Sequence, residues 1–199
     1  MKKEPEPPGH PFLRGIWHYA RGIAHVAKGQ LTEAEKELVR LNEILKDPSL
    51  DQPLFSQNTG RAVLSVAPAV LGGEIAAAKR EYDKAIALLS RAVRLEDGLV
   101  YTEPSEWHYP PRHALGAVLL EAGLPAEAET VYWDDLRRNP ENGWALFGVW
   151  QALAAQGKHA AASLAEARFK KAWARADVQP TASRFGRAAS VTTTASGGQ

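Results

Sequence analysis

Leu115-Gly116-Ala117-Val118-Leu119-Leu120-Glu121-Ala122-Gly123-Leu124-Pro125-Ala126-Glu127-Ala128-Glu129-Thr130-Val131-Tyr132 decides the fold. On both sides of Ala122–Pro125 the apolar residues recur at three- and four-residue intervals, the spacing of one helical face. Gly123 stands where a first helix should end. Pro125 stands at the first turn of a second helix, where its missing N–H is no loss. The segment reads as two helices joined by a tight turn, with Gly116 facing Ala128 where the helices cross closely.

The same pattern extends over 12–45, 61–95, 112–138 and 143–176. Each stretch is broken near its middle by a turn signal: Lys28-Gly29-Gln30, Lys79-Arg80-Glu81-Tyr82, Ala122-Gly123-Leu124-Pro125 and Gln156-Gly157-Lys158. Strand signals are nearly absent, so the sequence predicts four helical hairpins. Leu115, Gly116, Leu119, Gly123, Ala128, Tyr132 and Pro140 set a ruler for the others. The first hairpin answers with Gly22, His25, Gly29, Leu31, Ala34, Leu38 and, a little late, Pro48. The second gives Gly73, Ala76, Tyr82, Ala85, Leu89 and Ala92. The fourth keeps Leu153, Gly157, Ala162 and Phe169 but has Trp150 where the others have glycine.

These residues resemble the tetratricopeptide repeat, with Arg112 standing in place of the opening aromatic of the third unit. The resemblance implies an all-α, right-handed α-α superhelix of about four hairpins, a tetratricopeptide-like solenoid. Glu103-Pro104-x-x-Trp107, Pro110-x-Arg112, Leu115-Gly116 and Asn139-Pro140-Glu141-Asn142-Gly143-Trp144-Ala145-Leu146 are similar to the carboxy-terminal end of large bacterial repeat proteins of undefined biochemical role. That likeness spans roughly 12–185 and suggests a piece that normally continues amino-terminally.

The alanines Ala34, Ala85, Ala128 and Ala162 lie 51, 43 and 34 residues apart. Against a unit of about 34 residues, the first junction therefore carries 17 extra residues and the second nine. The first insertion, Asp47–Asn58, is punctuated by prolines and predicts an ordered loop with a lengthened following helix. The second, Leu99–Arg112, is aromatic-rich and stiffened by three prolines. Residues 1–11 read as a flexible proline-rich segment, 12–176 as the repeat domain and 177–199 as a tail, disordered from about 186. Phe169 and Trp173 are expected to pack back on the last hairpin, with Val178–Phe185 folding over them and Phe185 as an anchor.

Composition excludes several classes. The chain has no cysteine, which removes disulfides, thiolate zinc sites and thiol nucleophiles. Its 24 basic and 23 acidic residues leave a net charge of +1, too weak a field to argue for nucleic acid or membrane. Residues 157–187 carry seven Lys or Arg against two acids, read as a solvated outer face. The start, Met1–Pro8, is charged and proline-rich where a secretory signal needs an apolar run, and no run of 18 apolar residues occurs. The expectation is a cytoplasmic protein.

No nucleophile elbow, glycine-rich loop or paired carboxylates stand out, so the sequence predicts a non-catalytic scaffold without cofactor. In such a stack the first helices line the concave face and bind peptides. The register places Tyr19, Ile23, Glu74, His113, Ala117, Glu121, Trp144, Phe147 and Gln151 there, as the surface for a protein or peptide partner. Packing of Trp144 and Phe147 against the preceding loop is the bland alternative. Self-association through an end of the stack is a further expectation. The insertion adds Tyr101, Glu103, Trp107, His108, Tyr109 and Arg112. Glu103, His108 and His113 are weak candidates for a divalent metal or small-ligand site with a metal-dependent activity, the alternative function, though their spacing fits no ligand motif. His18 and His25, seven apart on one helix face, read as structural histidines, one ring nitrogen satisfied.

Overall fold

The computed structural model describes residues 9–53 and 57–184. Among them the chain is helical throughout, with one isolated bridge pairing Pro53 and Thr59. Residues 1–8 and the tail beyond 184, including Phe185, lie outside the described residues.

Helix α1 (Pro11–Ala27) begins with proline at its first turn, capped by the His10 ring, and packs on α2 (Leu31–Ile44). A 3-10 turn at Pro48–Asp51 leads to α3 (Gly60–Leu64) and, across Ser65, to α4 (Val66–Ala78), which pairs with α5 (Tyr82–Asp97). Helix α6 (Pro111–Glu121) pairs with α7 (Pro125–Arg138), and α8 (Gly143–Ala155) with α9 (His159–Ala172). The first helices α1, α4, α6 and α8 touch in succession, so the hairpins stack in chain order. The stretch Gly60–Ala78 is long and apolar enough to cross a membrane, with mean hydropathy 1.4, but 72% of it is buried; it is the central core element.

Four identical turns give the molecule its repeat. The N–H of Gln30, Glu81, Leu124 and Lys158 donates to the carbonyl five residues back, at 2.9, 2.9, 2.9 and 3.0 Å. The preceding residue has a left-handed backbone in each case: Gly29, Arg80, Gly123 and Gly157, with φ between 62° and 77°. This is the Schellman closure, which satisfies the last carbonyls of a helix. Three positions use glycine, which has no Cβ to clash there; Arg80 holds the same conformation against a steric penalty of about 1–2 kcal/mol. Arg80→Gly is therefore expected to raise stability by about 1 kcal/mol, or roughly 2–4 °C in Tm. A lower Tm would show that the Arg80 side chain contributes more than its backbone costs.

Ala34, Ala85 and Ala128 are fully buried, but they are not what the glycines meet first. A Cβ on Gly22 would come 2.5 Å from Leu71 of α4, and one on Gly73 2.6 Å from Leu89 of α5. Gly116 lies against the ring of Tyr132 in α7. The glycines are holes for large knobs, one of them from the next hairpin, because a ridge needs a groove to enter.

The two insertions hold each other. The Asn58 side chain accepts from the Val100 N–H at 2.8 Å and donates to the Val100 carbonyl at 2.9 Å and to Glu106 at 2.5 Å. It imitates a strand partner for the second insertion. That insertion then drives Trp107 into the core, 2% exposed and 5.3 Å from the Tyr19 ring.

Candidate functional site

The inner face formed by the first helices is covered by the chain's own segment 178–184. Beyond α9 the chain turns, the Trp173 indole N–H donates to the Val178 carbonyl at 2.6 Å, and the segment crosses to α4 and α6. The expected packing of Phe169 and Trp173 is seen: Phe147, Trp150, Phe169, Trp173 and Trp144 form one aromatic cluster with ring centroids 5.1–6.0 Å apart. The segment touches this cluster and continues past it, with Ser183 and Arg184 as its anchors.

Ser183 is 1% exposed. Its hydroxyl donates to the His113 carbonyl at 3.1 Å and pairs with the Tyr132 hydroxyl, while its own carbonyl accepts from the Tyr109 hydroxyl at 2.5 Å. The Arg184 guanidinium grips Glu121 with Nη2 at 2.7 and 2.9 Å and Nε at 3.2 Å, and turns Nη1 to Glu74. Such forked pairing is the strongest form of carboxylate recognition. Burial pushes the Glu74 carboxyl above its ordinary range, against the pull of Arg184. Burial also disfavours the Arg184 cation, but Glu74 and Glu121 more than offset this and raise its pKa. Burial pushes the Tyr109 hydroxyl well up, keeping it a neutral donor.

Of the residues expected to face an open groove, Glu74, His113 and Glu121 are bound by the segment. Tyr19, Glu74, His113, Ala117 and Phe147 are buried, and Glu121, Trp144 and Gln151 partly so. Phe147 belongs to the aromatic cluster. His113 donates to or accepts from Asp135 at 2.9 Å, with both side chains 1% exposed, and its Nδ1 has no partner. Beside the segment an unfilled groove of about 490 Å³ remains, lined by Ala20, Ile23, Ala24 and Ala27 of α1 and by Trp144 of α8. Helices from the first and last hairpins therefore flank one space.

The insertion residues separate into different environments. Glu103, His108 and His113 do not converge: Glu103 pairs with exposed Tyr101, His108 packs on Tyr19 and Trp107, and His113 is held by Asp135. No cluster of three metal-ligating side chains occurs among the described residues, because the loop fans these residues out around Trp107. Burial lowers the His108 pKa. Arg112, in the aromatic's place, is 8% exposed and forks onto Asp97 at 2.7 and 2.9 Å with Glu96 at 3.5 Å. These groups line a polar cleft of about 370 Å³ with Tyr101 and Glu103. His18 is the buried histidine of α1, paired with Glu37 at 2.5 Å, whereas partly buried His25 bonds Gln30 at 2.8 Å.

Lys158, Arg168 and Lys170 of the basic stretch are paired with Glu129, Glu141 and Glu166. Ser183 and Arg184 carry no local sequence signal as site residues, since Arg184 is one of two arginines in a polar tail. No family model, curated protein sequence or solved structure matches the chain.

Proposed function

We propose that this chain is a tetratricopeptide-type repeat module that holds an extended peptide on its inner face and carries out no catalysis. Repeated Schellman turns, buried alanines at matching intervals and contacting first helices support the repeat reading. The observation that carries the binding reading is the capture of Ser183-Arg184 by side chains of α4, α6 and α7 and by Tyr109 of the insertion. A short, bent segment lies across several hairpins and is read through its side chains, as peptides are on helical solenoids. A cytoplasmic location fits this role.

Selection from a displayed random-peptide library tests it, with full-length Arg184→Ala as bait so that the resident segment is unlatched. The selected peptides are expected to lose binding at least tenfold to a bait also carrying Trp144→Ala or Glu121→Gln. Peptides that bind those baits equally well lie elsewhere on the molecule, and the inner-face reading then fails.

A further inference from the structure

We propose that Glu74 and Glu121 form an arginine-recognition site for a partner polypeptide that presents a Ser-Arg sequence, and that residues 178–184 occupy it as an exchangeable stand-in. This inference rests on the peptide-binding reading.

The site is built for a guanidinium. Three hydrogen bonds from Arg184 go to Glu121 in a fork that a lysine cannot reproduce, and a fourth goes to Glu74, whose side chain is 4% exposed. Two carboxylates face one cation. The preceding residue is recognised through its short hydroxyl and its carbonyl, by His113, Tyr132 and Tyr109. A segment that merely sealed the core would bury apolar side chains. This one buries Ser183 and Arg184 and leaves Val178 58% exposed.

The attachment is also local. Among the described residues, no main-chain to main-chain hydrogen bond ties 177–184 to the helices; the last such bond is Ala176 to Trp173. A segment held by Ser183 and Arg184 at its far end and by one indole hydrogen bond at Val178 opens without unfolding its support. A tethered occupant acts at an effective concentration of roughly millimolar, so a partner must gain contacts that the resident lacks. The groove beside Gln179–Ala182 offers them, since the resident's Pro180, Thr181 and Ala182 leave its Ile23 and Trp144 walls apart. A bulkier apolar residue just before the Ser-Arg pair fills that space.

The test uses a fluorescent, end-capped peptide of the sequence 177–184, a twin with citrulline for arginine, and the full-length protein. Arg184→Ala is expected to bind the arginine peptide at least tenfold more tightly than the wild type, whose own segment competes. The citrulline twin, or Glu121→Gln added to the bait, is expected to weaken binding at least tenfold. Equal binding of both peptides overturns arginine recognition and leaves the peptide-binding reading standing. Binding of neither, with helical amide protection retained, overturns both. Should Arg184→Ala fail to fold, NMR on the wild type decides: millimolar arginine peptide is expected to move the amide signals of 178–184 toward random-coil positions and leave those of the helices in place, and unchanged signals overturn the proposal.

Discussion

Gly148→Ala is expected to lower stability by about 3 kcal/mol, roughly 6–12 °C in Tm, although it adds one methyl group to a helix that ordinarily favours alanine. The reason is Tyr132. Its ring is fully buried between Gly116 and Gly148, and a Cβ on either glycine would overlap the ring carbons. An aromatic ring flanked on both faces cannot turn aside, and its hydroxyl is tied to Ser183. Gly22→Ala provides the contrast. There the new methyl meets chiefly the end carbons of Leu71, with its Cγ at 3.2 Å, and that side chain can change rotamer, so a loss of about 1 kcal/mol is expected. Urea unfolding of the two variants checks the order. A loss for Gly148→Ala no larger than for Gly22→Ala would show that Tyr132 is free to move. Because Tyr132 holds Ser183, Gly148→Ala is also expected to move the amide NMR signals of 178–184 toward random-coil positions.

The contrast marks what was legible in the sequence. Turns at Gly29, Gly123 and Gly157 were readable because glycine and proline report backbone conformation locally. Arg80 was readable as a turn only from its charged neighbours. The glycine positions were legible as close contacts, but not their partners: spacing fixes which residues share a helix face, whereas the rotation of one hairpin on the next decides that Gly22 receives Leu71. The inner face was legible from register. Its occupant was not, since the Arg184 pairs with Glu121 and Glu74 join residues 63 and 110 positions apart, and no local pattern records such a return. Asn58 clamping Val100 was hidden for the same reason. A polar tail reads as unanchored by composition, yet Ser183 and Arg184, with five partner residues between them, dock it.

Arg112→Ala is expected to cost about 3 kcal/mol at pH 8, and about half of that at pH 5. Arg112 replaces the aromatic that the repeat pattern expects, and in doing so it becomes the counter-charge for an acidic cluster joining α5 to α6. It holds the Asp97 carboxyl below the ordinary range, more than offsetting its burial. Glu96 is different: burial pushes its pKa up to about 7, Arg112 opposes this, and Asp97 and Asp135 add to it. In the unfolded chain Glu96 titrates near its ordinary value of about 4.3. The folded state therefore holds a proton that the unfolded chain has released between about pH 4.3 and 7, and stability from this group falls as pH rises through that window. Glu96→Gln removes the penalty, so its stability relative to wild type should improve by about 2 kcal/mol from pH 5 to pH 8. Without Arg112 the opposing attraction is gone, the Glu96 pKa climbs further, and the penalty extends to higher pH. Urea unfolding of both variants and the double variant at pH 5 and 8 checks this. The double variant should lose most of the pH dependence of Arg112→Ala; a dependence that persists would place its source outside Glu96.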